Sequence, residues 1–285
     1  MEQLTDAILH QVITPRPADS HKGNYGRCVL IGGARQYGGA ILMAAEACVQ
    51  AGAGLTTVVT AKENHGPLHT RRPEAMAVDW LDFALTESVI ETADVLLIGP
   101  GLGDSERVRK LLAFVLQKRQ PDQWLVIDGS AITILAEAAG GNLIKLRQLL
   151  RFPETVVFTP HQMEWQRLSG IPITQQTSRA TKAFTKELGA TVIAKSHRTT
   201  IFAADGFCAR NPHGTPAMAT GGTGDTLAGI ITAFLAQFPK NGKTIAAAVY
   251  LHSLIADNLA ESRYVVLPTE ISEALPLWMK HFEYD

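Results

Sequence analysis

The arrangement of apolar segments along this chain of 285 residues constrains its fold more than any other feature. Six short runs rich in β-branched residues alternate with longer segments of helical periodicity, and each run is continuously apolar. Continuous apolar runs are expected for strands covered on both faces, so the alternation predicts a largely parallel sheet of the α/β class. The predicted strands are 27–33, 55–61, 93–101, 124–129, 155–160 and 191–196, and the predicted helices between them are 40–52, 105–118, 161–169 and 176–188.

The segment 199–211 differs from these units. Two short extended pieces joined by Asp205-Gly206 predict a β-hairpin, which gives the sheet an antiparallel edge. Three helical patterns follow, at 224–238, 241–261 and 268–280. No low-complexity linker, charge block or internal repeat interrupts the pattern, so residues 1–285 are predicted to form one domain.

The composition is that of a globular protein, with 46% hydrophobic and 19% charged residues. The 26 basic and 27 acidic residues nearly balance, which argues against nucleic acid or an anionic membrane as a partner. No segment reaches the ~18 apolar residues of a membrane span. The N-terminal segment lacks the basic and apolar regions of a signal peptide. The three cysteines, Cys28, Cys48 and Cys208, have no CxxC spacing, which is typical of a reducing cytoplasm.

Glycine and polar residues collect where the predicted strands end. In an open parallel sheet, ligands bind outside the carboxyl ends of the strands, so these residues predict one shared cleft. They occur at Gly32-Gly33, 99–104, Asp128-Gly129, 159–164 and Lys195-Ser196.

Two segments resemble common nucleotide-binding motifs but fail the match. In "GPGLGD" (99–104) the last glycine of the dinucleotide fingerprint is replaced by Asp104. In "GATVIAKS" (189–196) Ala194 stands where a P-loop requires glycine, and the segment is predicted to be a strand.

The segment "GGTGD" (221–225) makes a stronger case for an anion site. Its glycines allow a tight turn, and the apolar pattern from Leu227 places this turn at the N-terminus of a buried helix. Free N–H groups and the helix dipole at such a position favour a phosphate. Asp225 is either an N-cap or a catalytic base that accepts the proton of a substrate hydroxyl beside the phosphate, and the surrounding glycines favour the base.

Two further strand ends carry candidate residues. Lys195 ends an apolar run, where it is either a solvated charge or a cation directed at an anion in the cleft. In "TPHQME", His161 and Glu164 are either the first turn of a helix or part of the cleft, and their spacing does not indicate a metal site. The glycine-rich segment 22–54 is explained either by tight helix–sheet packing or by close approach of the backbone to a ligand.

Taken in order, these segments resemble the ribokinase-like superfamily, and most closely the ADP/ATP-dependent NAD(P)H-hydrate dehydratases. The similarity covers residues 22–231, and its order is more specific than GTGD alone. It implies a three-layer α/β/α fold, without the epimerase domain that some relatives carry. The matching segments are "KGNYGRCVLIGGARQYGGA", "IGPGLG", "VIDGSA", "TPHQME", "AKSHRTTI" and "NPHGTPAMATGGTGDTLAGI".

The resemblance also implies a reaction. The ring hydroxyl of the S-epimer of hydrated NADH or NADPH is phosphorylated by ADP, or by ATP in some members. Phosphate then departs to restore the reduced cofactor, with AMP as the other product of ADP. Magnesium is expected with the nucleotide, no protein ligand for it is predicted, and a homo-oligomer, by preference a homotetramer, is expected on family grounds.

The resemblance assigns roles to individual residues. Asp225 corresponds to the base, and Ala40, Gly103 and His161 correspond to positions that line the hydrated-cofactor site with it. The nucleotide-binding positions correspond to Lys195, Ser196, His197, Arg198, Thr199, Gly222, Thr223 and Gly224. One position departs from the family, because Ser196 stands where relatives usually have glycine, and serine restricts the backbone there.

Two other functions compete with this one. A small-molecule kinase of the same fold, acting on hydroxyethylthiazole or a pyridoxal-type alcohol, would leave the phosphate on its product. A nucleotide-binding regulatory module would not turn over at all. The sequence does not distinguish ADP from ATP as the donor, or hydrated NADH from hydrated NADPH as the substrate.

Overall fold

The computed structural model describes residues 1–283, which build one ten-stranded sheet with helices on both faces. The strands are β1 (Glu2–Gln3), β2 (Arg27–Ile31), β3 (Leu55–Thr60), β4 (Met76–Asp79), β5 (Val95–Ile98), β6 (Trp124–Ile127), β7 (Val156–Phe158), β8 (Thr191–Ala194), β9 (Thr200–Phe202) and β10 (Cys208–Arg210). The helices are α1 (Ala7–Val12), α2 (Gly38–Gln50), α3 (His65–Arg71), α4 (Phe83–Glu91), α5 (Glu106–Lys118), α6 (Ser130–Ala139), α7 (Leu143–Leu150), α8 (Gln162–Ser169), α9 (Ser178–Leu188), α10 (Thr223–Gln237), α11 (Gly242–Ala260) and α12 (Pro268–Phe282).

The strand order is β1-β10-β9-β8-β7-β6-β5-β2-β3-β4. Strands β2 to β8 are parallel, whereas β9 runs antiparallel to both β8 and β10. The three-layer α/β/α fold and the predicted hairpin are therefore confirmed. The two-residue strand β1, which the sequence did not predict, pairs in parallel with β10 and forms the outermost edge.

Successive residues of the central strands face opposite hydrophobic cores, which explains their continuous apolar sequence. Leu30 and Leu97 face the core built with α2, α10, α11 and α12. Ile31 and Ile98 face the second core, built with α5, α6 and α8. Burial on both faces removes the polar alternation that a half-exposed strand would show.

The small-residue helices pack against each other within the chain. A β-carbon placed on Gly229 of α10 would lie 2.2 Å from the carbonyl oxygen of Ala44 in α2, so only glycine permits this approach. Glycine-rich packing likewise explains part of segment 22–54, because a β-carbon on Gly33 would lie 2.3 Å from Ile41. No helix among residues 1–283 combines the length and hydropathy needed to cross a membrane.

The topology places a crevice at one point of the carboxyl edge. The chain runs from β2 to β3 and β4 on one side and then returns to β5 on the other side of β2, so the strand order reverses between β2 and β5. Ligands of open α/β sheets bind at such a switch point. Two backbone hydrogen bonds join the loops there, from the Gly33 amide to the Pro100 carbonyl (2.9 Å) and from the Ala34 amide to the Gly101 carbonyl (2.7 Å).

Candidate active site

Helix α10 begins at the glycine-rich loop, and its first turn is open to a ligand. Its N-cap is Gly222, which adopts a left-handed conformation (φ 99°) and has no side chain to cap the helix. The first N–H groups of a helix have no partners within it, so these amides are available to an anion. The Thr223 hydroxyl donates to the carbonyl oxygens of Met218 (2.9 Å) and Thr220 (3.1 Å), which fixes the loop before the helix.

Asp225 is the third residue of α10, and the N-cap of that helix is Gly222. The N-cap interpretation is therefore wrong for Asp225. Burial, reinforced by the negative charge of Asp128, raises the pKa of Asp225 from 3.8 to about 7, although Lys195 acts in the opposite direction. A carboxyl group with a pKa near neutrality can exist as a base and accept a proton at cellular pH.

Lys195 follows β8 directly and turns into this cluster. Its ammonium nitrogen lies 2.8 Å from Asp128 Oδ1, and a β-carbon on Gly224 would lie 3.2 Å from it. Burial alone would lower the pKa of Lys195, but Asp128, Glu164 and Asp225 together raise it, so it remains charged. Lys195 is thus a half-buried cation beside the start of α10, an arrangement compatible with the cleft interpretation of this residue.

Asp128 holds Lys195 in place, a role that the sequence did not indicate. It follows β6, is 3% exposed, and accepts a hydrogen bond of 2.5 Å from the Thr159 hydroxyl. The only sequence signal was a carboxylate directly after a buried strand.

His252 of α11 was also missed. Burial, opposed by the Thr223 carbonyl, lowers the pKa of His252 to about 4, so it adds no charge behind the loop.

His161 and Glu164 form the first turn of α8, as their structural interpretation predicts. His161 is the N-cap, and its backbone N–H donates to Glu164 Oε2 (2.9 Å) in a capping box. Burial, with a contribution from Lys195, lowers the pKa of His161. Burial raises the pKa of Glu164, although Lys195 opposes this shift. The carbonyl of Pro160 accepts a hydrogen bond from the Lys195 amide, so this turn and Lys195 lie side by side.

Two of the predicted substrate positions, Ala40 and Gly103, belong to α2 and to the loop after β5. A β-carbon on Gly101 would lie 3.0 Å from Cβ of Ala40, and one on Gly103 would lie 3.5 Å from Cβ of Ala34. Met43, one turn after Ala40 in α2, packs against Gly222. Helix α2 therefore connects the loop of Gly103 to the loop of Asp225.

The remainder of the predicted nucleotide segment faces a different loop. Arg198 donates to the carbonyl of Gly214 (3.2 Å), and Gly214 packs against the carbonyl of His197. Asp257 of α11 accepts hydrogen bonds from the Gly214 amide (3.1 Å) and bonds to Nδ1 of His213 (2.8 Å). These contacts attach the loop before α10 to segment 195–199.

Ser196 occupies its position without strain. Its backbone is not left-handed, because Arg151 is the one non-glycine residue within 1–283 with positive φ. Its hydroxyl donates to the Arg198 carbonyl (2.9 Å), and the Thr199 hydroxyl donates to the Ser196 carbonyl (3.4 Å). The serine hydroxyl therefore adds a hydrogen bond to this turn that glycine at position 196 could not form.

Comparisons with known proteins agree on one family. The family model described as NAD(P)H-hydrate dehydratase matches residues 28–277. The chain is 58% identical to an ADP-dependent (S)-NAD(P)H-hydrate dehydratase of Enterococcus faecalis over 99% of this chain and 94% of that protein. A second such enzyme, from Lactiplantibacillus plantarum, is 50% identical over 99% of this chain and 98% of its own. The ADP/ATP-dependent NAD(P)H-hydrate dehydratase of Bacillus subtilis, co-crystallised with ATP/Mg²⁺, superimposes with a TM-score of 0.83 at 28% identity over 99% of both chains.

Proposed function

The chain belongs to the NAD(P)H-hydrate dehydratase family, and we propose that it catalyses the ADP-dependent dehydration of the S-epimer of hydrated NADH or NADPH. The products are NADH or NADPH, AMP and phosphate. The observation that carries this function is the carboxylate of Asp225, with a pKa of about 7, in the open first turn of α10 beside the half-buried ammonium of Lys195.

Asp225 is proposed as the catalytic base. Its carboxylate accepts the proton of the ring hydroxyl, and the resulting oxygen attacks the terminal phosphorus of ADP. The bond between that phosphorus and the bridging oxygen breaks, which releases AMP. The phosphorylated ring then loses phosphate together with one ring proton, and the double bond of the dihydronicotinamide is restored.

The start of α10 is proposed to bind the phosphate that is transferred. The amides of Gly222, Thr223 and Gly224 belong to the helix start, and the ammonium of Lys195 lies beside Gly224. Together they are proposed to stabilise negative charge that develops during transfer. Segment 195–199 is proposed to bind the rest of the nucleotide. Its attachment to loop 211–217 through Arg198 and Gly214 supports that role, because it holds the segment in one conformation.

Magnesium is proposed to enter the site with the nucleotide. No group of three or more His, Cys, Asp or Glu side chains within 1–283 is placed to hold a metal ion. Mg²⁺ at such sites usually has one or two carboxylates, phosphate oxygens and waters as ligands. Besides the proposed base Asp225, Asp128 and Glu164 are acidic groups close to Lys195. Bound there, the ion would neutralise charge on the phosphates.

The hydrated ring is proposed to lie between Asp225 and the positions Ala40, Gly103 and His161. Contacts between α2 and both glycine loops support this placement, because Ala40 approaches Gly101 while Met43 of the same helix contacts Gly222. His161 has its side chain 55% exposed, which leaves its ring accessible to a substrate.

The test is to incubate the purified protein with hydrated NADH, ADP and magnesium and to follow the absorbance of the restored dihydronicotinamide ring. The dehydratase restores this absorbance and releases one phosphate per ring. Phosphoryl transfer to a vitamin alcohol without recovery of NADH would instead identify the small-molecule kinase. Relatives that carry the dehydratase name at 42% identity or more span nearly the whole chain, which favours the first outcome.

The same assay with ATP in place of ADP determines the preferred phosphate donor, and with hydrated NADPH in place of hydrated NADH it determines the preferred substrate.

We further propose that residues 1–285 act as one domain in a cytoplasmic homo-oligomer, by preference a homotetramer. The family resemblance supports the assembly, and the three free cysteines are compatible with a reducing compartment. Light scattering measures the mass of the assembly directly.

A further inference from the structure

A second cavity opens at the carboxyl edge of the sheet, on the far side of the switch point from Lys195. It has a volume of about 560 Å³ and lies where β2, β3 and β4 end. Arg35 follows β2, Lys62 follows β3, Trp80 follows β4, and Arg107 comes from the first turn of α5. None of these residues has a role in the reaction described above.

The three cations of this cavity are unpaired. Within residues 1–283, the side chains of Arg35, Lys62 and Arg107 form neither an ion pair nor a hydrogen bond. Arg109, two residues after Arg107 and not part of the cavity lining, is by contrast paired with Glu137 at 2.6 Å. Unpaired guanidinium and ammonium groups that converge on one cavity are typical of a site for phosphate.

The cavity also contains two acids and an aromatic ring. Glu63 and Asp79 line it, and one oxygen of Asp79 accepts a hydrogen bond from the Leu81 amide (2.9 Å). The net charge of the lining side chains is therefore positive by one. The indole of Trp80 is partly exposed at the cavity wall and offers a flat apolar surface on which a nucleobase can stack.

The cavity adjoins the proposed substrate side of the crevice. Arg35 is next to Ala34, which approaches Gly103 and bonds to the Gly101 carbonyl. The donor segment 195–199 follows β8, so it lies at the same carboxyl edge but on the opposite side of the switch point. A dinucleotide with its nicotinamide at Asp225 must therefore extend its other half away from the donor, towards β3 and β4. The three steps from β5 to β4 span ~14 Å at the usual strand spacing, which suits the second half of an extended dinucleotide.

We propose that this cavity binds the adenosine half of the hydrated dinucleotide, with the base on Trp80 and the phosphates on Arg35, Lys62 and Arg107. This assignment rests on the proposed function. The 2′-phosphate of hydrated NADPH adds charge that the three cations attract, so hydrated NADPH is the preferred substrate. Glu63 and Asp79 do not reverse this preference because the cations outnumber them.

Steady-state kinetics of Arg35→Ala/Lys62→Ala and of Trp80→Leu test the proposal. We expect the double variant to raise KM for hydrated NADPH about tenfold and KM for hydrated NADH about threefold, with kcat and KM for ADP unchanged. The matched control is Lys145→Ala, which removes an exposed cation of α7 outside the cavity and leaves all constants unchanged. The Lys145 side chain forms no ion pair within residues 1–283. If the double variant had the same KM as the wild type for hydrated NADH and also for hydrated NADPH, the assignment would be overturned.

A binding experiment separates this proposal from the proposed function. Adenosine 2′,5′-bisphosphate is titrated by calorimetry into the wild-type protein and into Lys195→Met, in which the proposed donor site is weakened and the cavity is intact. We expect binding that weakens about tenfold in Arg35→Ala/Lys62→Ala and less in Trp80→Leu. If the wild type restores NADH but does not bind this probe, the cavity assignment fails alone. If it binds the probe but restores no NADH, the proposed reaction fails and the nucleotide site stands.

Discussion

The ammonium of Lys195 lies 2.8 Å from the carboxylate of Asp128 and 3.2 Å from the position that a β-carbon would occupy on Gly224. The lysine is thereby fixed between a buried acid and the start of α10. Its charge lowers the pKa of Asp225, whereas burial and Asp128 raise it. The ionisation of Asp225 is therefore set by its burial and by two residues that follow different strands, Asp128 after β6 and Lys195 after β8.

Asp225→Asn is expected to lower kcat for dehydration by about 10²–10⁴ while ADP still binds, because only the proton acceptor is removed. Turnover assays and calorimetric titration with ADP measure the two effects separately. A regulatory module without turnover would show no kinetic difference between the variant and the wild type.

The activity is expected to rise with pH through about 7, since Asp225 must be ionised to accept a proton and its pKa is about 7. Lys195 lowers this pKa, so Lys195→Met is expected to move the rising limb of kcat/KM to higher pH. The control is Lys145→Ala, which leaves the limb in place. A limb that stays at the same pH in Lys195→Met would show that another group controls the profile.

The stability of the folded protein also depends on Asp225. Its folded pKa of about 7 exceeds its ordinary value of 3.8, so the contribution to stability is complete below about 4 and is lost as pH rises to about 7. At ~1.36 kcal/mol per pKa unit, the loss is at most roughly 4 kcal/mol. Asn does not ionise, so Asp225→Asn is expected to stabilise the fold relative to the wild type more at about pH 8 than at about pH 5. Denaturant unfolding at both values measures the difference, and an equal difference at both would contradict the shifted pKa.

His161 can be tested for a role beyond the N-cap of α8. Asn caps helices well, so His161→Asn is expected to retain the stability of the fold, whereas His161→Ala loses about 1 kcal/mol. If the ring also contacts the substrate, both variants raise KM for the hydrated cofactor to a similar extent. If KM were unchanged in His161→Asn, His161 would act only as the N-cap of α8.

Much of the fold could be predicted because its strands are buried on both faces. Continuous runs such as 27–33 and 93–101 indicated the central strands, and Asp205-Gly206 indicated the antiparallel hairpin. Strand β4 was missed because Met76–Asp79 is short and partly exposed, so its residues carry no continuous apolar pattern. Helices α6 and α7 were not assigned either, although their sequences are apolar, because they follow each other without an intervening strand.

The candidate site was predicted where the backbone itself provides the signal. The glycines of 221–225 indicated an open helix start, which the structure has at Gly222. The pairing of Lys195 with Asp128 could not be predicted, because these residues are distant in sequence and meet only through the order of the strands. The same reason hid the cavity of Arg35, Lys62 and Arg107, which depends on the unpredicted strand β4.

The floor of the crevice at the switch point is made of main chain. A β-carbon on Gly32 would lie 2.1 Å from the Pro100 carbonyl oxygen, and one on Gly99 would lie 1.8 Å from that of Asp128. Backbone hydrogen bonds also join the loop after β2 to the loop after β5. Substrate specificity can therefore diverge by exchange of the side chains around the rim, while the shape of the floor is inherited unchanged as long as these two glycines are kept.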